Sequence, residues 1–179
     1  MRATVRTLLL SSSFALLAAL APAASHAQDL TGSFVQLDSR FPNLATINPI
    51  GSAIVGGGVE FPSIFGGQWT SDIGPNSIKL DLISVPNNIA NAAFNGFVYT
   101  FTLPAGRLIG NVSLHGSSTL TPTSISYTSA QVRLNYAGQV IQQPAFTLLR
   151  VDVVPEPSSM MLAGVGAMGL VRIARKRRD

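Results

Sequence analysis

Apolar and polar positions alternate in several short runs of the chain. In Ile78-Lys79-Leu80-Asp81-Leu82 the apolar side chains face one way and the charged ones the other. Phe97, Tyr99, Phe101 and Leu103 form a second period-two set. Val132, Leu134 and Tyr136 alternate with Arg133 and Asn135, and Leu149, Val151 and Val153 alternate with Arg150 and Asp152. Successive side chains of a strand point to opposite faces, so this pattern predicts antiparallel strands with one face on a core. Strands are predicted near residues 32–38, 52–60, 67–72, 77–84, 95–103, 108–115, 123–128, 131–136, 139–142 and 146–153.

Between these runs stand Pro42, Pro49, Pro62, Pro75, Pro86, Pro104, Pro122 and Pro144. Each fixes φ and removes an N–H, which leaves little room for a long helix. Tyr136-Ala137-Gly138-Gln139 is the clearest hairpin turn. Many short strands with Gly, Pro and Asn turns predict an all-β fold: an antiparallel β-sandwich or jelly-roll-like ectodomain over residues 28–154. An open or closed barrel is the competing architecture. The segment is long enough to bury one core without staples.

The two ends follow a different pattern. Arg2 and Arg6 precede an apolar stretch from Leu8 to Leu20, Pro22 breaks it, and Ser25-His26-Ala27 offers small residues for cleavage. This predicts a signal helix in residues 1–27, cut by signal peptidase between Ala27 and Gln28; an uncleaved anchor is the alternative. At the other end, Val154-Pro155-Glu156-Pro157 leads into an uncharged run, Ser158 to Val171, and then into Arg172, Arg175, Lys176, Arg177 and Arg178. The two prolines predict an extended, unpaired stretch just past the last strand. The uncharged run is 14 residues, or about 21 Å of helix against a hydrocarbon core of about 30 Å. Flanking arginines can snorkel and a bilayer can thin, so a short transmembrane helix is expected over 158–171. The basic tail, 172–179, would then stop transfer on the cytoplasmic side. A buried terminal helix of the domain is the alternative. The expected topology sends residues 28–157 through the Sec translocon and across the inner membrane.

Charge supports this division. The net +4 comes from the ends, while the segment between them holds five bases against seven acids. The central domain therefore offers no basic face, and no nucleic-acid partner is expected. The chain has no cysteine, which excludes a disulfide scaffold, a thiolate metal site and a Cys nucleophile.

Pro155-Glu156-Pro157, a short Gly/Ala-rich apolar segment and the basic cluster Arg172 to Arg178 together resemble the PEP-CTERM sorting signal. What the resemblance implies is a Gram-negative exported protein, processed near the motif by an exosortase-type membrane protease. It also implies an association with exopolysaccharide or biofilm. The resemblance covers residues 155–179 and says nothing direct about the domain before them. The Leu-Pro-x-Thr-Gly motif of a sortase-type anchor is missing. Gly164-Val165-Gly166-Ala167-Met168-Gly169 matches a dinucleotide fingerprint in letters only, because no βαβ unit surrounds it.

Candidate chemistry in the domain is sparse. His115 is the one histidine after residue 27, with Asp72, Asp81 or Asp152 as conceivable triad partners. A glycosidase pair would come from Asp29, Asp38, Glu60, Asp72, Asp81 and Asp152. Calcium would need clustered oxygens, and the Asp72–Asn76 turn and Asn87-Asn88 are the nearest candidates. Trp69, Tyr99, Tyr127 and Tyr136 are candidates for a sugar-binding face. The plainer reading puts Phe34, Phe65, Phe94, Phe97 and Phe101 in the core, capped by Tyr rings with their hydroxyls in water. The expectation is a protein without enzymatic activity, cofactor or metal, sorted to the cell surface or extracellular matrix from an inner-membrane-anchored precursor. A carbohydrate-binding or adhesive module with the same address is the alternative.

Overall fold

The structure is a computed structural model that describes residues 28–84, 87–142 and 144–156. The signal helix, the apolar segment 158–171 and the basic tail lie outside these residues.

All regular structure among the described residues is β. The strands are β1 (Phe34–Arg40), β2 (Ile47–Ile54), β3 (Phe61–Ile64), β4 (Trp69–Gly74), β5 (Ser77–Leu82), β6 (Asn87–Asn88), β7 (Gly96–Thr102), β8 (Arg107–Leu114), β9 (Ser124–Tyr127), β10 (Gln131–Asn135), β11 (Val140–Ile141) and β12 (Ala145–Pro155). They form two five-stranded antiparallel sheets. The first has the order β2-β1-β7-β10-β9 and the second β3-β4-β5-β12-β8, with a small β11-β6 ribbon beside them. Among the described residues no ladder joins the two large sheets, so these strands do not close into a barrel.

The alternating sets identify the core. Ile78, Leu80 and Leu82 of β5 and Leu149, Val151 and Val153 of β12 are buried from the second sheet. Phe97, Tyr99 and Phe101 of β7 and Val132 and Leu134 of β10 are buried from the first, followed by Tyr136 just past β10. Contacts between the sheets show that these faces meet. The Trp69 and Phe97 rings pack edge-to-face at 5.4 Å, within the preferred range for aromatic pairs. Ser71 Oγ lies 2.9 Å from Tyr99 Oη. The Tyr136 hydroxyl donates to Thr147 Oγ1 at 2.8 Å, and that hydroxyl in turn donates to the Leu120 carbonyl at 2.8 Å.

Three local expectations are corrected. Residues 52–60 do not form one strand: β2 ends at Ile54 and β3 begins at Phe61. The Glu60 carboxylate holds the loop between them, accepting from Gly56 N–H at 3.0 Å and from Ile73 N–H at 2.7 Å. The turn at 136–139 forms, with Gln139 N–H donating to the Tyr136 carbonyl and Gly138 at φ 75°. It does not close a hairpin, because β11 pairs with β6 and not with β10. The tyrosine hydroxyls of Tyr99 and Tyr136 are in the core, not in water; only Tyr127 is exposed.

Proline positions obey ladder chemistry. Pro49 and Pro62 lie in β2 and β3, which are sheet edges. An edge strand has one side on which a missing N–H costs no bond.

Candidate functional site

The described part of the sorting motif is the end of β12. This strand pairs with β5 from Ala145 to Arg150 and with β8 from Leu149 to Pro155. From Asp152 onward it is therefore held on one side, by an edge strand. Between Asp152 and Val153 the register shifts past Gly110 of β8. A side chain on Gly110 would meet both γ-carbons of Val154 at 2.8 Å, so glycine lets the two strands stay close here.

Pro155 is the last residue of β12 and stands opposite Arg107. Glu156 N–H donates to the Gly106 carbonyl at 2.9 Å. That bond makes Pro155 and Arg107 a non-hydrogen-bonded pair, in which both backbones direct their polar groups away from each other. The missing N–H of Pro155 thus faces the open side of β12 and costs no ladder bond. The expectation of an unpaired stretch beginning at Pro155 is corrected for Pro155 and Glu156: both are tied to β8 and the turn before it. Pro157 lies outside the described residues, as do Ala27, Arg172, Arg175, Lys176, Arg177 and Arg178.

The start of the domain comes to the same place. Arg107 NH1 donates to the Asp29 carbonyl at 3.3 Å and lies 4.0 Å from its carboxylate. Asp29 Oδ1 also accepts from Thr31 N–H at 3.0 Å, and Leu30 N–H donates to the Pro75 carbonyl at 2.7 Å. Gln28, the expected first residue after cleavage, therefore sits one residue from the Arg107 bracket. Sequence reasoning identified the motif but missed Gly106, Arg107 and Asp29 as its supports. No local pattern marks them, because their role depends on long-range pairing.

The four candidates for a sugar-binding face do not share one. Trp69, Tyr99 and Tyr136 are core residues, and Tyr127 alone of the four is exposed. Burial pushes the Tyr99 and Tyr136 hydroxyls far above their ordinary titration range, with only partial relief from Ser71 and Thr147. Phe94, Phe97 and Phe101 are buried as expected, but Phe34 and Phe65 are exposed. Phe65 holds a left-handed φ of 51° between Ile64 and Gly66. Its ring lies 6.1 Å from Phe97 and lines a cavity of about 150 Å³ together with Arg40, Phe41, Trp69, Phe97 and Tyr136. Two guanidinium nitrogens of Arg40 are engaged, NH1 with the Leu44 carbonyl and NH2 with Asp38, and its Nε is buried without an acceptor.

The polar candidates are scattered. His115 Nδ1 lies 2.8 Å from Ser117 Oγ on the surface, in a local contact that involves no Asp. Asp38 pairs with Arg40, Asp81 with Lys79 and Asp152 with Arg150, while Glu60 binds backbone amides. Hydrogen bonds from Asn111 first, and from Arg150 second, hold the Asp152 carboxyl below its ordinary range. Among the described residues no group of three or more acidic or histidine side chains is placed to hold a metal ion.

The described residues thus define an all-β domain whose final strand delivers the chain to a proline-bracketed acidic residue. A family model described as the PEP-CTERM protein-sorting motif matches residues 153–178. The chain carries that motif at its C-terminus, which implies exosortase processing at a membrane and export by way of a membrane-anchored precursor. No curated protein and no solved structure matches the chain.

Proposed function

We propose that this chain is a non-enzymatic exported protein whose β-sandwich ectodomain is sorted to the cell surface or extracellular matrix and linked there to exopolysaccharide. The observation that carries the reading is the PEP-CTERM motif at residues 153–178. Signal peptidase and the Sec translocon would act first, on the Ala27–Gln28 bond and its leader. The basic cluster Arg172 to Arg178 would keep the tail in the cytoplasm until the exosortase-type protease acts near Pro155-Glu156-Pro157. The arrangement of the domain supports this itinerary. Asp29 binds Arg107 and Glu156 binds the neighbouring Gly106, so the domain's first and last described residues come to one place. The facing sheets and single core support a sandwich. The β1–β2 hairpin and the β3–β4–β5 meander favour a plain sandwich over a jelly roll.

The test replaces Pro155, Glu156 and Pro157 by Ala in the full chain and follows size and fraction in the exporting host. The expected result is a longer, membrane-retained form. Release at unchanged size would overturn the reading.

A carbohydrate-binding or adhesive role is the second reading, and the cavity favours it. Phe41 and Phe65, both exposed, line it and offer aromatic surface to a ligand. Binding on a glycan array that is lost in Phe65→Ala would support it; an array with no signal would remove it.

A further inference from the structure

We propose that Pro155 and Glu156, the first two residues of the sorting motif, are latched into the folded domain, and that processing proceeds through an opened state in which the end of β12 has left β8. The proposal rests on the sorting reading above and adds the state from which the cut is made.

Peptide-bond cleavage needs the scissile segment to lie free and extended in a protease cleft. Cutting of a folded protein therefore follows the population of a locally opened form. Here the first two residues of the motif are not free. Pro155 stands in the ladder opposite Arg107, and Glu156 N–H is bonded to the Gly106 carbonyl. An enzyme that takes the motif must separate these contacts first.

The opening is graded by burial. Val154 is half-buried and Pro155 exposed, so detaching residues 154–156 uncovers little apolar surface. Val153 and Val151 are core residues, and opening past them would expose the interior. The latch is therefore weak at its tip and strong a few residues inward. Its tip is held on one side only, since β5 ends its pairing at Arg150.

The mature N-terminus braces this tip. Asp29 engages the Arg107 guanidinium through both its carbonyl and its carboxylate. Arg107 is thus a positioning residue: it touches no reacting atom, but it ties the strand that holds the motif to the start of the domain.

The test uses the full chain in the exporting host, with processing followed by pulse-chase and gel mobility. Leu108→Cys with Val154→Cys joins β8 to β12 immediately before the motif and leaves Pro155-Glu156-Pro157 intact. The register makes these two a hydrogen-bonded pair, whose usual Cα separation suits a disulfide. The chain has no other cysteine, so no competing bond forms. The oxidised form should be processed at least tenfold more slowly, and reductant should restore the rate, which also shows that the pair folds. Arg107→Ala, and Gly110→Ala with its methyl pressed on Val154, should each be processed several-fold faster. Cross-linked chains cut at the wild-type rate, or an Arg107→Ala chain cut more slowly, would overturn the latch. The sorting reading fails on a separate result, unchanged processing of the triple Ala variant.

Discussion

Tyr99 on β7 and Ser71 on β4 share a buried hydrogen bond of 2.9 Å between the two sheets. Neither oxygen reaches water, so each depends on the other. Tyr99→Phe removes the hydroxyl and leaves the Ser71 hydroxyl buried and unsatisfied. The expected loss is about 1–3 kcal/mol of stability. Adding Ser71→Ala should recover part of it, because removing both partners is cheaper than orphaning one. Urea denaturation of a chain spanning residues 28–156 measures both effects, and a double mutant no more stable than Tyr99→Phe alone would refute the coupling.

The same burial predicts alkaline sensitivity. Tyr99 and Tyr136 have folded pKa values raised by desolvation, whereas an unfolded tyrosine titrates near 10. Below about pH 10 both states hold the proton and the stabilisation is complete. Above it the unfolded chain loses protons that the folded chain keeps, so stability falls. The slope approaches about 1.4 kcal/mol per pH unit for each tyrosine. Denaturation midpoints between pH 9 and about 11.5 should bend downward, and Tyr136→Phe should make the bend shallower. A flat profile would refute the assignment.

Glu60 predicts a different kind of loss. Its carboxylate accepts from Gly56 and Ile73 amides that lie 17 residues apart, across the loop before β3. Glu60→Ala frees both donors, and Ile73 is fully buried. The expected cost is about 2 kcal/mol, within the range for hydrogen bonds to a charged group. Amide exchange should accelerate at Gly56 and Ile73 first; unchanged protection there would refute the clamp.

These residues also show where sequence reading succeeds and where it stops. The faces of β5 and β12, and most of β10, were legible because burial there follows a period of two, and one-sided burial needs nothing but alternation; in β7 the alternating set Phe97, Tyr99 and Phe101 is buried, but Val98 on the other face is buried as well. The break between β2 and β3 was not legible, since it depends on Glu60 reaching an amide on β4. Pro49 is read in the sequence as standing between strands, yet it lies in β2, an edge strand with a side where no N–H is needed. The motif was readable in letters, because Pro155, Glu156 and Pro157 are contiguous. Its attachment to Gly106 and Arg107, and through Arg107 to Asp29, was hidden, because contacts across 48 to 78 residues leave no local trace. The tyrosine hydroxyls were placed in water on general grounds; Ser71 and Thr147, their partners on the opposite sheet, make burial tolerable.

Gly96 predicts the sharpest contrast between two glycines. It begins β7 opposite Asn135. A side-chain carbon there would fall on the Leu134 carbonyl oxygen, with that carbonyl carbon 2.9 Å away. The obstacle is backbone in a paired strand, so no rotamer change relieves it. Gly96→Ala should force β7 and β10 apart and cost about 3 kcal/mol or more. Gly116→Ala meets nothing within 4 Å and should stay within about 0.5 kcal/mol of the parent. Equal stability of the two variants would mean that β7 and β10 are not this close.

Asp152 offers a probe of the strand pair just before the motif. Asn111 Nδ2 donates to one carboxylate oxygen at 3.2 Å and Arg150 Nε to the other at 3.1 Å. Both bonds favour the ionised form, which lowers the folded pKa. Such a group stabilises the fold above its unfolded pKa near 3.9, and the contribution disappears as pH falls through the lower folded value. Because Asp152 is exposed, a carbon-detected titration reads it better than stability does. Its midpoint should lie below that of an unstructured aspartate, and Asn111→Ala and Arg150→Ala should each move it up. A midpoint unmoved by Asn111→Ala would mean that the cross-strand bond from β8 to β12 does not hold this carboxylate.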